Sequence, residues 1–265
     1  MTTVTEPLQP VAPSFVSAMS SETPAAPPGH APPFERIVFD CDATLSRIEG
    51  VEELSGSHRA EVAALTEQAM DGSLPLQEVY GRRLELVRPS RNAVATIGRR
   101  YIETAVPQAR ETLAALRSLG KELRIVSGGM RMAVVTFAGW LGVSDEHVHA
   151  VKVWFDSDEH YLDFERGHPL ARAGGKREIL AGLPPRRTAF VGDAMTDAEA
   201  ADVVDCFVNF GGVVARPAVA ARAHFVVNAR SLAHLLPLLC TAAELDRLNR
   251  DPRHVPLLRS LAQPF

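Results

Sequence analysis

Cysteine is scarce and scattered along the chain. Its 265 residues include three, Cys41, Cys206 and Cys240, an odd number with no Cys-x-x-Cys pair. That pattern excludes a disulfide framework and a thiolate zinc site, and it suits a reducing compartment. An excess of basic charge is missing too. The formal net charge of −4 lacks the electrostatic footprint of a general nucleic-acid binder. No apolar run reaches the ~20 residues a membrane helix needs, and the best candidate, Met132 to Val143, is interrupted by Thr136 and Gly139. Neither Lys nor Arg occurs before Arg36, so neither a secretory signal with a basic start nor an Arg-rich transit peptide is expected. The first 33 residues instead hold eight of the 19 prolines. They carry too little apolar surface to offset the entropy of ordering, so 1–33 is expected to be a disordered tail. The protein is expected to be soluble and cytoplasmic, without nucleic-acid or membrane partners.

What remains has ordinary globular composition, 46% hydrophobic and 23% charged, and is long enough for one α/β domain with an insert. Ile37-Val38-Phe39 reads as a buried strand, Arg36 to Asp40, of a parallel sheet. From Glu49 to about Pro107 the pattern is helical, with breaks at Asp71-Gly72-Ser73 and Pro89-Ser90. Pro75 suits a helix start, and Ser90 can cap a third helix through Val94, Ile97, Tyr101 and Ile102. Helices and strands alternate after that. Strands are expected at Leu123–Val126, Thr188–Val191, Cys206–Phe210 and His224–Val227, with Val148–Phe155 and Tyr161–Phe164 pairing around an acidic turn. Helices are expected at Pro107–Leu119, Arg131–Leu141, from Gly174 to Leu180, at Asp197–Val203, from Pro217 and at Ser231–Leu239. The alternation predicts a doubly wound, Rossmann-like parallel sheet with right-handed crossovers.

Chemistry-bearing residues collect at the strand ends, where open α/β sheets bind their ligands. Asp40 and Asp42 stand two apart after the first strand. Such a pair can hold a hard cation, act as nucleophile and acid, or simply form a polar turn. Ser127-Gly128-Gly129 follows the second strand, where glycine turns let backbone N–H groups approach an anion. Lys176 follows two glycines at a helix start, where the helix dipole disfavours its charge unless it faces an anion; otherwise it is a solvated surface charge. Asp193 ends another strand, with Thr196 and Asp197 beyond it as ligands or helix caps. Together these groups are what Mg²⁺-dependent phosphoryl transfer needs.

The residues Asp-x-Asp-x-Thr at Asp40 to Thr44, with Ser127, Lys176 and Gly-Asp-x-x-Thr-Asp at Gly192 to Asp197, resemble the haloacid dehalogenase superfamily of phosphatases. Within it, Glu49 to Leu54, Met70, Arg83, Pro89-Ser90-Arg91, Phe210-Gly211-Gly212 and Arg216 are similar to the phosphoserine phosphatase branch, over about Phe34 to Leu239. The resemblance implies a catalytic core of 34–50 and 108–265 with a helical cap domain at 51–107. It implies a Mg²⁺ held by Asp40, the Asp42 carbonyl and Asp193, with Asp197 behind them. Asp40 would be the nucleophile, Asp42 the general acid and base, and Lys176 a third catalytic group. Glu49, Met70, Arg83, Ser127, Gly128, Gly129, Thr196 and Arg216 would contact substrate. The partner would be a small phosphorylated metabolite, phosphoserine first, with another small ester or phosphoryl transfer to an acceptor hydroxyl as alternatives. A homodimer is left open. Glu49 and Arg83 could instead be a first-turn helix charge and one surface arginine among Arg82, Arg88 and Arg91. Four positions depart from the family pattern: Ala43 for serine, Asp71 for glycine, Leu76 for an aromatic and Ala194 for glycine. Ala43 and Asp71 bear on substrate choice.

Overall fold

The computed structural model describes residues 30–70, 74 and 76–261. Most of the expected tail, the break at Asp71-Gly72-Ser73 and Pro75 lie outside the described residues. The described residues form eight strands: β1 Arg36–Phe39, β2 Glu122–Met130, β3 Val148–Val151, β4 Val153–Phe155, β5 Tyr161–Phe164, β6 Thr188–Gly192, β7 Cys206–Phe210 and β8 Phe225–Val227. Six form one sheet in the order β3-β2-β1-β6-β7-β8, and every pairing in it is parallel. This is the doubly wound α/β sheet that the alternation predicts. Strand β1 lies at its centre, and Ile37, Val38 and Phe39 are fully buried. Burying each such side chain is worth roughly 1.5–3 kcal/mol, which favours an inner position where both faces of the strand are covered.

The chain leaves β1 toward β2 and β3, then resumes on the other side of β1 with β6. The direction of winding therefore reverses between β1 and β6, the kind of crevice in which such sheets bind ligands. Phe39 is in register with Val191 and with Ile125, so Asp40 and Asp193 emerge side by side at this reversal.

After β1 the chain runs through α1 Gly50–Glu53, α2 Arg59–Met70, α3 Leu76–Val87 and α4 Arg91–Glu103. Ser90 caps α4 as expected, its hydroxyl accepting the Ala93 N–H at 3.2 Å. Helix α5, Ala109–Ser118, returns the chain to the sheet, and α6, Arg131–Leu141, connects β2 to β3. Helix α4 packs directly on α6. A Cβ on Gly98 would sit 2.8 Å from the Thr136 Cβ, and the Tyr101 and Phe137 rings lie 5.7 Å apart. Helices α2 and α3 pack on each other further out.

Four local expectations are corrected. Ser127-Gly128-Gly129 is no turn, because β2 continues through it to Met130 and passes straight into α6, with a register irregularity between Val126 and Met130. Val148–Phe155 is two strands: β3 joins the main sheet, whereas β4 pairs antiparallel with β5. The strand divides at Lys152, whose carbonyl accepts the Glu165 N–H. The expected helix over Asp197–Val203 is a short α8, Met195–Ala198, followed by a 3₁₀ turn at Ala201–Val203. Ser231–Leu239 likewise starts as a 3₁₀ turn and becomes α-helical only at Leu236–Leu239. Pro237 lies in the first turn of that segment, a position where its missing N–H is tolerated. Among the described residues no helix is long and apolar enough to cross a membrane.

Candidate active site

Asp40 takes the last rung of the β1–β6 ladder, its N–H donating to Val191 O at 2.9 Å. The chain then turns tightly, with the Cys41 carbonyl accepting the N–H groups of Leu45 and Ser46 at 2.9 and 3.0 Å. Ala43, at the bend, has φ +50°, and its side chain is 1% exposed. The methyl group is thus directed into the protein and is not among the described residues lining the cleft.

The turn places the two aspartates in different surroundings. Asp40 Oδ1 lies 2.9 Å from Lys176 Nζ. Burial pushes the Asp40 carboxyl well above its ordinary range, and Lys176 opposes this. Asp42 is anchored at one oxygen, where Oδ1 accepts the Gly50 N–H at 2.8 Å and the Tyr101 hydroxyl at 2.6 Å. Its other oxygen, Oδ2, is 3.2 Å from the position of a Cβ on Gly129, so the bare glycine backbone leaves it room. Burial raises the Asp42 carboxyl as well, against the Tyr101 and Gly50 bonds.

Lys176 reaches the cleft from the helix α7, Gly175–Ala181. Burial works against its ammonium, but Asp197 and Asp40 outweigh burial and push its pKa up, so it stays charged. Asp197 sits behind it: Oδ1 accepts from Lys176 Nζ at 2.6 Å, while Oδ2 accepts the N–H groups of Asp193 and Ala194 at 3.1 and 2.8 Å. Asp193 Oδ1 accepts the Thr44 hydroxyl at 2.8 Å, and its Oδ2 pairs with Arg216. Burial and then Asp197 push Asp193 up to about 6, against Arg216 and Thr44.

Oxygen atoms of Asp40, Asp193 and Asp197 lie within 4.8 Å of one another, and all three side chains are buried. An all-oxygen, carboxylate-rich set of this kind suits a hard cation such as Mg²⁺. Burial first, and the neighbouring carboxylates after it, raise Asp40 and Asp193, and a divalent cation bound between them would oppose both. The donor set therefore fits the ion.

Asp40, Asp42, Glu49, Arg83, Gly128, Gly129, Lys176, Asp193 and Thr196 line one cleft, together with Val51, Tyr80, Leu170, Arg172 and Ala194. Glu49 and Arg83 come from the helical segment and share the cleft with Asp40. Burial holds the Glu49 carboxyl at about 8, with Asp42 and Asp193 adding to the shift and Arg83 opposing it. Three expected site residues stand behind the described lining. Ser127 is fully buried and its Oγ accepts the Gly129 N–H at 2.9 Å; Asp197 and Arg216 hold Lys176 and Asp193. The side chains of Met70 and Leu76, and all of Asp71, lie outside the described residues. Sequence reasoning missed the part of Tyr101 in holding Asp42, although a tyrosine on a buried stripe signals a hydroxyl in need of a partner. It also missed Tyr80 and the loop residues Leu170 and Arg172, for which no local pattern exists.

Three kinds of similarity accompany this geometry. The family description "haloacid dehalogenase-like hydrolase" matches residues 34–205. Phosphoserine phosphatase from Rattus norvegicus is 31% identical over 200 residues, 73% of this chain and 89% of the relative. The chloroplastic phosphoserine phosphatase of Arabidopsis thaliana is 33% identical over 202 residues, 73% of this chain and 68% of the relative. Among solved structures, a phospho-aspartyl intermediate analogue of phosphoserine phosphatase superposes with a TM-score of 0.68 at 26% identity, covering 79% of this chain and 100% of the other. A substrate-bound phosphoserine phosphatase complex gives the same TM-score and coverage at 25% identity.

Proposed function

The chain belongs to the haloacid dehalogenase-like hydrolases, as a phosphoserine phosphatase-like phosphoric monoester hydrolase, and we propose that it hydrolyses L-phosphoserine to L-serine and phosphate, completing serine synthesis. One observation carries the substrate: Glu49 and Arg83 border the same cleft as Asp40. The Arg83 guanidinium forms no ion pair within 4 Å among the described residues. A phosphorylated amino acid presents an ammonium for the carboxylate of Glu49 and a carboxylate for the planar fork of Arg83.

In this reading Asp40 attacks the phosphorus in line, forming an aspartyl-phosphate as the bond to the serine oxygen breaks. Lys176 and the Gly128 backbone grip the phosphoryl oxygens, with Ser127 holding the Gly129 N–H from behind. The leaving alkoxide is strongly basic and needs a proton. Asp42 supplies it from Oδ2, because Oδ1 already accepts two hydrogen bonds. The ionised Asp42 then takes a proton from the water that hydrolyses the intermediate and is restored. Asp40, the Asp42 carbonyl and Asp193 would hold a Mg²⁺, which offsets the negative charge of the phosphoryl group. Segment 51–107 acts as a cap over the 34–50 and 108–265 core and excludes water.

Steady-state assays with Mg²⁺ test the substrate. The kcat/KM for L-phosphoserine should exceed that for phosphoethanolamine and p-nitrophenyl phosphate by about 100-fold or more. Comparable values would sink the reading, and phosphate recovered on added alcohols would point to transfer rather than hydrolysis.

A further inference from the structure

Tyr80 and Arg83 lie three residues apart on α3 and so on one face of it, and both line the cleft that holds Asp40. Tyr80 is 2% exposed. Its ring is held against Phe164, with centroids 5.2 Å apart, and Arg83 Cζ lies 5.8 Å from its centroid. Among the described residues the buried Tyr80 hydroxyl has no hydrogen-bond partner, and neither has Arg83 Nε. Arg83 spends one nitrogen on Thr66 Oγ1 at 3.2 Å. A buried phenol with nothing to bond costs stability that phenylalanine at the same place would not. The cost is accounted for if a ligand completes the bond.

The chemistry of the surroundings selects the ligand group. The phosphoryl end already has Lys176 and the Gly128 backbone, and an ammonium would be repelled by Arg83. Beside a guanidinium, two unused donors call for an anionic acceptor. Burial pushes the Tyr80 phenol above its ordinary pKa, against Arg83, so the O–H remains a donor at working pH. We propose that Tyr80 is a specificity-determining residue, its hydroxyl donating to the substrate carboxylate beside the Arg83 guanidinium. The assignment rests on the phosphoserine reading and deepens it. It makes the cap read the carboxylate with a neutral donor as well as a charged one, and α3 carries both.

The experiment compares L-phosphoserine with phosphoethanolamine, which lacks the carboxylate, on the full chain with Mg²⁺. For Tyr80→Phe the KM for phosphoserine should rise about tenfold, with the loss in KM rather than kcat. The selectivity ratio between the two esters should fall by a similar factor. The Tm of the ligand-free protein should stay level or rise, because an unpaired buried hydroxyl has been removed. Tyr161 serves as a control: its hydroxyl is also buried and unpartnered, but it is not among the described lining of the cleft. Tyr161→Phe should therefore leave selectivity alone. A wild-type preference for phosphoserine that survives in Tyr80→Phe overturns the Tyr80 assignment and leaves the phosphoserine reading standing. So does a lowered Tm with equal losses on both esters, which would mark a structural role. A wild-type protein with no preference overturns both.

Discussion

Asp40 and Asp42 share one loop, and their neighbours divide the work between them. Asp40 faces Lys176 across 2.9 Å, which keeps a carboxylate available in a site whose burial disfavours it. Asp42 is tied at Oδ1 by Tyr101 and Gly50, leaving one oxygen for a proton. Removing the proposed nucleophile while keeping its shape, in Asp40→Asn, should lower phosphoserine turnover about a thousandfold or more; a variant above a tenth of wild-type rate would exclude Asp40 from bond making. Glu49 makes a second residue-scale prediction. With its carboxyl at about 8 it is mostly protonated at pH 7 in the free protein, yet an ammonium ligand needs it ionised. Binding should therefore release close to one proton at pH 7, and affinity should rise as pH rises through about 8. Titration calorimetry of Asp40→Asn in buffers of different ionisation heat measures this. Adding Glu49→Gln should remove the release, and an unchanged proton count would rule out Glu49 as the ammonium partner.

At the scale of elements, α7 depends on close approach. Gly174, its N-cap, has φ +72°, and a Cβ on Gly175 would lie 1.8 Å from the Pro169 carbonyl oxygen. The obstacle is backbone, so it cannot swing aside, and Lys176 is the next residue. Gly175→Ala should shift the start of α7, destabilise the fold by about 1–3 kcal/mol and reduce kcat at least tenfold. Urea melts and kinetics check this, and wild-type behaviour in both would contradict the packing argument. The two glycines before Lys176 were legible in the sequence as a helix start near an anion. The reason for the second was not, because Pro169 sits in a loop that meets α7 only in the folded chain. Ser127 shows the same division. Its place after an apolar run marked a strand end, but β2 runs on to Met130 and turns its hydroxyl onto Gly129.

The whole molecule contributes the point where the winding of the sheet reverses. Asp40 and Asp193 meet there although 153 residues separate them by number, and burying them together raises both carboxyls. For Asp193, at about 6, the sign is that of a carboxylate raised on folding. Its contribution to stability is present below the ordinary carboxylate range and is lost as pH rises through about 6. A divalent cation offsets that loss only where Asp193 is ionised, and below pH 6 it must first displace a proton. Adding Mg²⁺ should therefore raise Tm by a few degrees at pH 8 and by less at pH 5. Asp193→Asn should largely abolish the increment, and equal increments at both pH values would refute a carboxylate-bound ion.

The sequence by itself determined the α/β alternation, the burial of the strand Ile37-Val38-Phe39 and the strand ends that carry Asp40 and Asp193. These follow from local patterns of apolar and polar residues, which decide what a segment buries and where it must turn. The helical segment after β1 was legible for the same reason. Only the tertiary structure decided that Glu49 and Arg83 share the cleft of Asp40, that Tyr101 holds Asp42, and that Tyr80 brings an unpaired hydroxyl to the same wall. It also divided Val148–Phe155 between two sheets. Such outcomes depend on how helices and strands remote in sequence pack together, and no run of neighbouring residues encodes a contact made across the fold.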